Sequence, residues 1–131
     1  MSDLVLESIR THLEFLGYAV EPQEEQRYAV SHTARVNFIM RPFAGGVLFT
    51  VYFKSSDQAK TEPLQYLGFV NALNQNAAVA RFYADPDGDL CIECWHPSNY
   101  ERSQFGHFIQ MWNRDNSELL QERPELSTFL L

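Results

Sequence analysis

Between Arg35 and Lys54 the chain changes sides with a period of two. Val36, Phe38 and Met40 alternate with Arg35, Asn37 and Arg41, Ile39 being the exception. Val47, Phe49, Val51 and Phe53 then alternate with Leu48, Thr50, Tyr52 and Lys54. Successive strand side chains point to opposite faces, so this pattern commits both segments to a sheet with one buried face. Pro42 ends the first run, and Ala44-Gly45-Gly46 turns the chain into the second. Strands joined this tightly pair antiparallel. A chain of 131 residues, 45% of them hydrophobic, suits one domain spanning 1–131, and burying about two-thirds of its unfolded surface needs no disulfide.

The remaining segments predict an α+β order of α-β-β-β-α-β-β-α. A first helix covers Asp3–Leu16, with Asp3 or Ser2 as cap and Val5, Leu6, Ile9, His12, Leu13 and Leu16 as its apolar stripe. Gly17 ends it in the left-handed position. Glu21–Gln26 is polar and reads as a loop, followed by a weak strand at Arg27–Ser31 and the strands Arg35–Arg41 and Val47–Lys54. Ser55–Lys60 is a polar connection. A second helix spans Glu62–Gln75, with Thr61 as cap, Pro63 in the first turn and Leu64, Leu67, Val70 and Leu73 as its stripe. Strands Ala78–Ala84 and Leu90–Trp95 form a hairpin around Asp87-Gly88, a favoured type I′ pair. Ser98-Asn99-Tyr100-Glu101 fits a capping box for a last helix that ends near Glu122, and the Phe129-Leu130-Leu131 tail is expected to dock. An antiparallel sheet with helices on one face follows.

Several function classes are disfavoured. Ten basic against 17 acidic side chains give a net charge of −7, whereas nucleic acid and anionic membranes call for clustered cations. No apolar run of about 18 residues spans a bilayer, and Asp3, Glu7 and Glu14 interrupt the N-terminal apolar run, so a cytoplasmic protein without a signal peptide is expected. Cys91-x-x-Cys94 lies on a strand, where residues three apart face opposite ways, which favours neither a redox pair nor zinc. Asp85, Asp87 and Asp89 resemble the start of a calcium loop, but Leu90 and His96 stand where Gly and Glu are required. His12, His32, His96 and His107 have no ligand spacing, and no nucleophile or phosphate-loop motif is present. The reading is therefore no metal, no cofactor and no catalytic residue.

Two features point elsewhere. The second sheet face carries Ile39, Leu48, Tyr52, Val79, Tyr83, Cys91 and Trp95 among Arg35, Asn37, Thr50, Arg81 and Glu93. Aromatics interspersed with arginine compose a protein-binding surface, with Leu48, Tyr52, Tyr83 and Trp95 as its contact residues. The alternatives are ordinary scattered surface apolars or a face crossed by the last helix. Asn71-x-x-Asn74 shares one helix face, and two mediocre helix formers there suggest hydrogen bonds to a nearby strand or loop, with Asn76 in the helix-ending left-handed position.

The Phe69-Val70-Asn71-Ala72-Leu73-Asn74 stretch, the strand Ala80-Arg81-Phe82-Tyr83 and the Asp87-Gly88 turn resemble the YbjN-type family, labelled as bacterial sensory transduction regulators. That family is similar in fold to type III secretion chaperones, with the same element order. The resemblance implies a small, acidic, cytoplasmic, non-enzymatic protein that forms a homodimer and binds an extended segment of a protein partner, here unidentified. It maps no catalytic residue onto this chain. The alternative expectation is a small-molecule-sensing regulatory domain with an aromatic-lined pocket between helix and sheet.

Overall fold

The computed structural model describes residues 3–131, the side chains of Asp3 and Glu25 excepted; the predicted Asp3 or Ser2 cap lies outside what is described. Helix α1 (Asp3–Phe15) is closed by Gly17 at φ 96°, as expected. The strands are β1 (Ala19–Pro22), β2 (Tyr28–Ser31), β3 (Phe38–Phe43), β4 (Gly46–Phe53), β5 (Arg81–Ala84) and β6 (Leu90–Pro97). They form one sheet in the order β1-β2-β3-β4-β6-β5, antiparallel at every step. Helices α2 (Asp57–Thr61) and α3 (Pro63–Asn76) separate β4 from β5, and α4 (Arg102–Arg114) and α5 (Leu126–Phe129) close the chain.

The alternation read from the sequence sets the inner face. Phe38, Met40, Val47, Phe49, Val51, Phe82, Leu90, Ile92 and Cys94 are buried in one core with Ile9 and Leu13 of α1, Phe69, Val70 and Leu73 of α3, and Phe105, Ile109 and Trp112 of α4. Trp112 meets Phe38 and Phe49 edge-on, each at 5.8 Å, the arrangement favoured by the ring quadrupoles. Cys91 and Cys94 are both free, and they point to opposite faces of β6, Cys94 into the core. Burial raises both thiols, Cys94 to about 12, so neither is a thiolate near neutral pH.

Several sequence expectations need correction. β1 falls partly in the predicted loop; only Val20 of its four residues is buried, too little to give a period. β3 runs through Pro42, which pairs with Val47. It lies beyond Met40, the last β3 residue paired to β2, so a missing N–H on that side interrupts no ladder. The polar connection contains α2, capped by Ser56, whose Oγ accepts from Ala59 N at 3.4 Å. Thr61 does not cap α3. Glu62 occupies that position, and Pro63 fills the first turn as expected. The buried stripe of α3 is Tyr66, Phe69, Val70 and Leu73, while Leu64 and Leu67 face outwards, because Phe129 packs on Tyr66 and Phe69 at 5.7 and 5.8 Å. The cap of α4 is Glu101 instead of Ser98, accepting from Ser103 N and Gln104 N, since β6 continues to Pro97. The tail docks through Phe129 and Leu130; Leu131 is exposed.

One buried carboxylate ties the two halves of the core together. After Arg114 the last helix widens into a π turn over Asp115–Leu119, which carries Asp115 inwards to complete burial. Its Oδ2 accepts from the amides of Ala78, Val79 and Ala80 at 3.0, 2.8 and 2.9 Å, and its Oδ1 from Arg114 Nη1 at 2.8 Å. These amides therefore leave the ladder, which is why β5 starts at Arg81 and not at Ala78. Asp115→Ala leaves three donors without an acceptor and should lower the unfolding free energy by about 3 kcal/mol or more in urea titration.

His12 and His96 are buried beside Phe105. Desolvation holds both imidazoles below their usual value, with Arg102 adding to the effect at His12 and a hydrogen bond to the Pro97 carbonyl opposing it at His96. The unfolded chain therefore binds protons more readily. The stability contributed by the neutral rings is complete above the unfolded value of 6.5 and is lost as pH falls below it. The urea midpoint should drop between about pH 7.5 and about pH 5.5, and it should drop less in a His12→Gln, His96→Gln variant.

Candidate protein-interaction face

The outer sheet face follows from strand parity. Register aligns Arg41, Leu48 and Trp95 in one row, Ile39, Thr50, Glu93 and Arg81 in the next, and Tyr52, Cys91 and Tyr83 in a third. All four predicted contact residues thus share this face. α1, α3 and α4 all bury their stripes in the opposite core, so among the described residues no helix crosses it. Tyr52 is 63% exposed and Trp95 45%. Leu48 is only 1% exposed; it forms the floor beneath its neighbours.

The floor also holds charge. Glu93 is buried, accepting from Arg81 Nη2 at 2.7 Å and Nε at 3.2 Å on one oxygen and facing Thr50 Oγ1 at 3.4 Å on the other. This pairing neutralises the carboxylate and fixes the Arg81 guanidinium in the face. A hydrogen bond with Cys91, then burial, raises the Tyr83 phenol, and burial chiefly raises that of Tyr52, so both rings are neutral at physiological pH.

Trp95 is held in place. Its Nε1 donates to the Phe43 carbonyl at 2.8 Å, and its ring lies over Gly46, where a Cβ would come within 2.6 Å of the indole. Phe43 is itself exposed, with the Arg41 guanidinium 4.9 Å from its ring centroid. Phe43 lies beyond the strand end that Pro42 predicts, although the continued spacing Ile39, Arg41, Phe43 marks it in the sequence. Asp115 has no such mark, because its role depends on a π turn without a sequence signature.

Asn74 does what the helix-face argument expected. Its Nδ2 donates to the Phe82 carbonyl and its Oδ1 accepts from Phe82 N, both at 2.8 Å. The amide thereby takes the place of a further strand along the β5 edge. Asn71 is exposed. Asn76 is not left-handed; its Nδ2 bonds the Ala72 carbonyl, and the helix exits through extended Ala77. The Asp87-Gly88 turn also differs from expectation. Positive φ occurs at Gly88 alone, at 85°. With Gly88 N donating to Asp85 O at 2.9 Å, the loop is a type I turn followed by a glycine bulge, favoured by Pro86 at the second position. Asp85 Oδ1 accepts from the amides of Asp87 and Asp89, and Asp89 Oδ1 from Ser55 N and Oγ, so these carboxylates organise the loop. No cluster of three or more potential metal ligands occurs among the described residues, and no helix is long and apolar enough to cross a membrane.

An antiparallel sheet with its helices on one side is the architecture that comparison with known proteins also finds. Residues 6–122 match the YbjN family, described as "Putative bacterial sensory transduction regulator". The chain belongs to that family. The crystal structure of "YbjN, a putative transcription regulator from E. coli" superposes with a TM-score of 0.72 at 16% identity, covering 96% of this chain and 95% of that one. The heterodimeric ExoU–SpcU complex from the type III secretion system of Pseudomonas aeruginosa matches with a TM-score of 0.59 at 20% identity, covering 85% of this chain and 93% of its own. These likenesses confirm the predicted α+β architecture. No curated protein sequence matches the chain.

The two asparagines separate cleanly in a stability measurement. Asn74→Ala removes both edge bonds and should cost about 1–2 kcal/mol in urea unfolding, while Asn71→Ala should be within about 0.5 kcal/mol of wild type.

Proposed function

We propose that this domain is a non-enzymatic, chaperone-like regulator whose protein partner docks on the outer sheet face, with Tyr52, Tyr83 and Trp95 as anchors over the Leu48 floor. The observation that carries this reading is a set of large, exposed aromatics, Phe43 included, on a face that no described helix covers. Large rigid rings give contact area at low entropic cost. Arg27 and Arg41 lie near Tyr52 and Arg81 near Tyr83, so the face is richer in cations than a chain of net charge −7 would lead one to expect. Docking on the face is favoured over lengthening the sheet. At one edge Asn74 engages Phe82; at the other, Arg10 donates to the Val20 carbonyl at 3.5 Å and Pro22 has no N–H to offer. Two free cysteines fit a reducing, cytoplasmic setting.

Self-association into a homodimer is proposed for a different surface. The 14 residues of α3 include no charged side chain, and Leu64, 81% exposed, shares an outward face with Leu67. Light scattering after size exclusion should give a dimer at about 50 µM that Leu64→Glu with Leu67→Glu converts to monomer; a wild-type monomer sinks the dimer. For the sheet face, a photo-crosslinking residue at Tyr52 in the native host should yield a discrete protein adduct that one at Lys60 does not. Trp95→Ala should weaken the captured complex by about tenfold or more. Equal labelling from both positions, or no effect of Trp95→Ala, removes the sheet face from consideration.

A further inference from the structure

A cavity of about 370 Å³ lies between α4 and the connection from β2 to β3, lined by Leu16, Tyr18, His32, Ala34, Arg35, Gly106, Ile109, Gln110 and Asn113. It lies away from the outer sheet face, and its volume is in the range of small-molecule sites, roughly 300–1,000 Å³. The chain carries 17 acidic side chains, yet none lines this cavity among the described residues. Arg35 stands at it without a carboxylate partner among the described residues.

The other polar groups are arranged as donors. Asn113 is 8% exposed, and its Oδ1 accepts from the Tyr18 hydroxyl at 3.0 Å. No described residue accepts from its Nδ2, and that atom is not among those sealed from solvent. His32 Nδ1 accepts from Ala34 N at 2.9 Å. A ring nitrogen that accepts carries no proton, so the neutral imidazole holds its proton on Nε2 and donates from there. Gln110 adds an amide. The walls between these groups are hydrocarbon and aromatic: Leu16, Ile109 and the Tyr18 ring.

We propose that this cavity binds a small organic carboxylate with an apolar body, its anionic end held by Arg35, the Asn113 amide and His32 Nε2–H, and its hydrocarbon against Leu16, Tyr18 and Ile109. An unpaired guanidinium with neutral donors and no competing acid suits a single carboxylate. The apolar walls supply the rest of the binding. This assignment is independent of the sheet face and stands whether or not that surface binds protein.

The test uses the full chain, labelled with ¹⁵N, titrated with phenylacetate and separately with phenylacetamide, which keeps the ring and removes the charge. Phenylacetate should saturate by about 5 mM and shift the amides of residues 16–18, 32–35 and 109–113, while phenylacetamide should bind about tenfold more weakly or worse. Arg35 is exposed and forms no ion pair among the described residues, so Arg35→Gln should leave the fold intact and weaken phenylacetate binding by about tenfold. Lys60→Gln makes the same change in net charge elsewhere and should leave binding unchanged. Asn113→Asp retains the acceptor for Tyr18 but replaces the donor with an anion, and should abolish binding. The proposal is overturned if phenylacetate moves no resonance, if the amide binds equally well, if Arg35→Gln binds like wild type, or if the shifts map elsewhere.

Discussion

The edge-on contact of Trp112 with Phe38 and Phe49 is where the last long helix seats on the sheet. It brings α4 onto the face already defined by alternation in β3 and β4, and α1 and α3 complete the same layer. With one side of a six-stranded sheet covered, the opposite side must be stable against water by other means. The structure achieves this by burying Leu48, Cys91, Thr50 and Glu93 beneath longer neighbours and pairing the Glu93 carboxylate with Arg81. The aromatic rings that provide this cover are the groups available to a partner.

Polar side chains do much of the positioning. Asp115 gathers three successive amides, Asn74 closes a sheet edge, Asp85 and Asp89 build a hairpin loop and anchor it to Ser55, and Glu101 starts α4. Each satisfies backbone groups that would otherwise be buried or left open at an edge. Four of the 17 acids, Asp85, Asp89, Glu101 and Asp115, are therefore engaged with the chain's own backbone, and the cavity beside Arg35 stands out because none of its described lining residues is acidic.

The sheet was legible wherever alternation was long. Alternation alone gives the faces of β3, β4 and β6 correctly and puts Tyr52, Tyr83 and Trp95 on one surface. β1 was missed because four residues with one buried position carry no period. The α3 stripe was misjudged in its first half, since Leu64 and Leu67 fit helical spacing as well as Tyr66 and Phe69; what distinguishes them is Phe129, sixty residues away and packed on the latter pair. The turn at Asp87-Gly88 is located correctly by the sequence but not typed by it, because Pro86 takes the second position of a type I turn, Asp87 keeps a negative φ, and only the following Gly88 is left-handed.

By itself, then, the sequence determined the α+β class, the antiparallel pairing and the parity of the side chains, because these are local consequences of period and turn chemistry. Tertiary structure alone decided that the outer face stays open, that Leu48 is floor while Tyr52 is surface, that Asp115 caps a distant segment, and that Tyr18, His32, Arg35 and Asn113 meet around one cavity. Those outcomes depend on where a helix docks and on which residues far apart in the chain compete for the same space, and no local pattern encodes either.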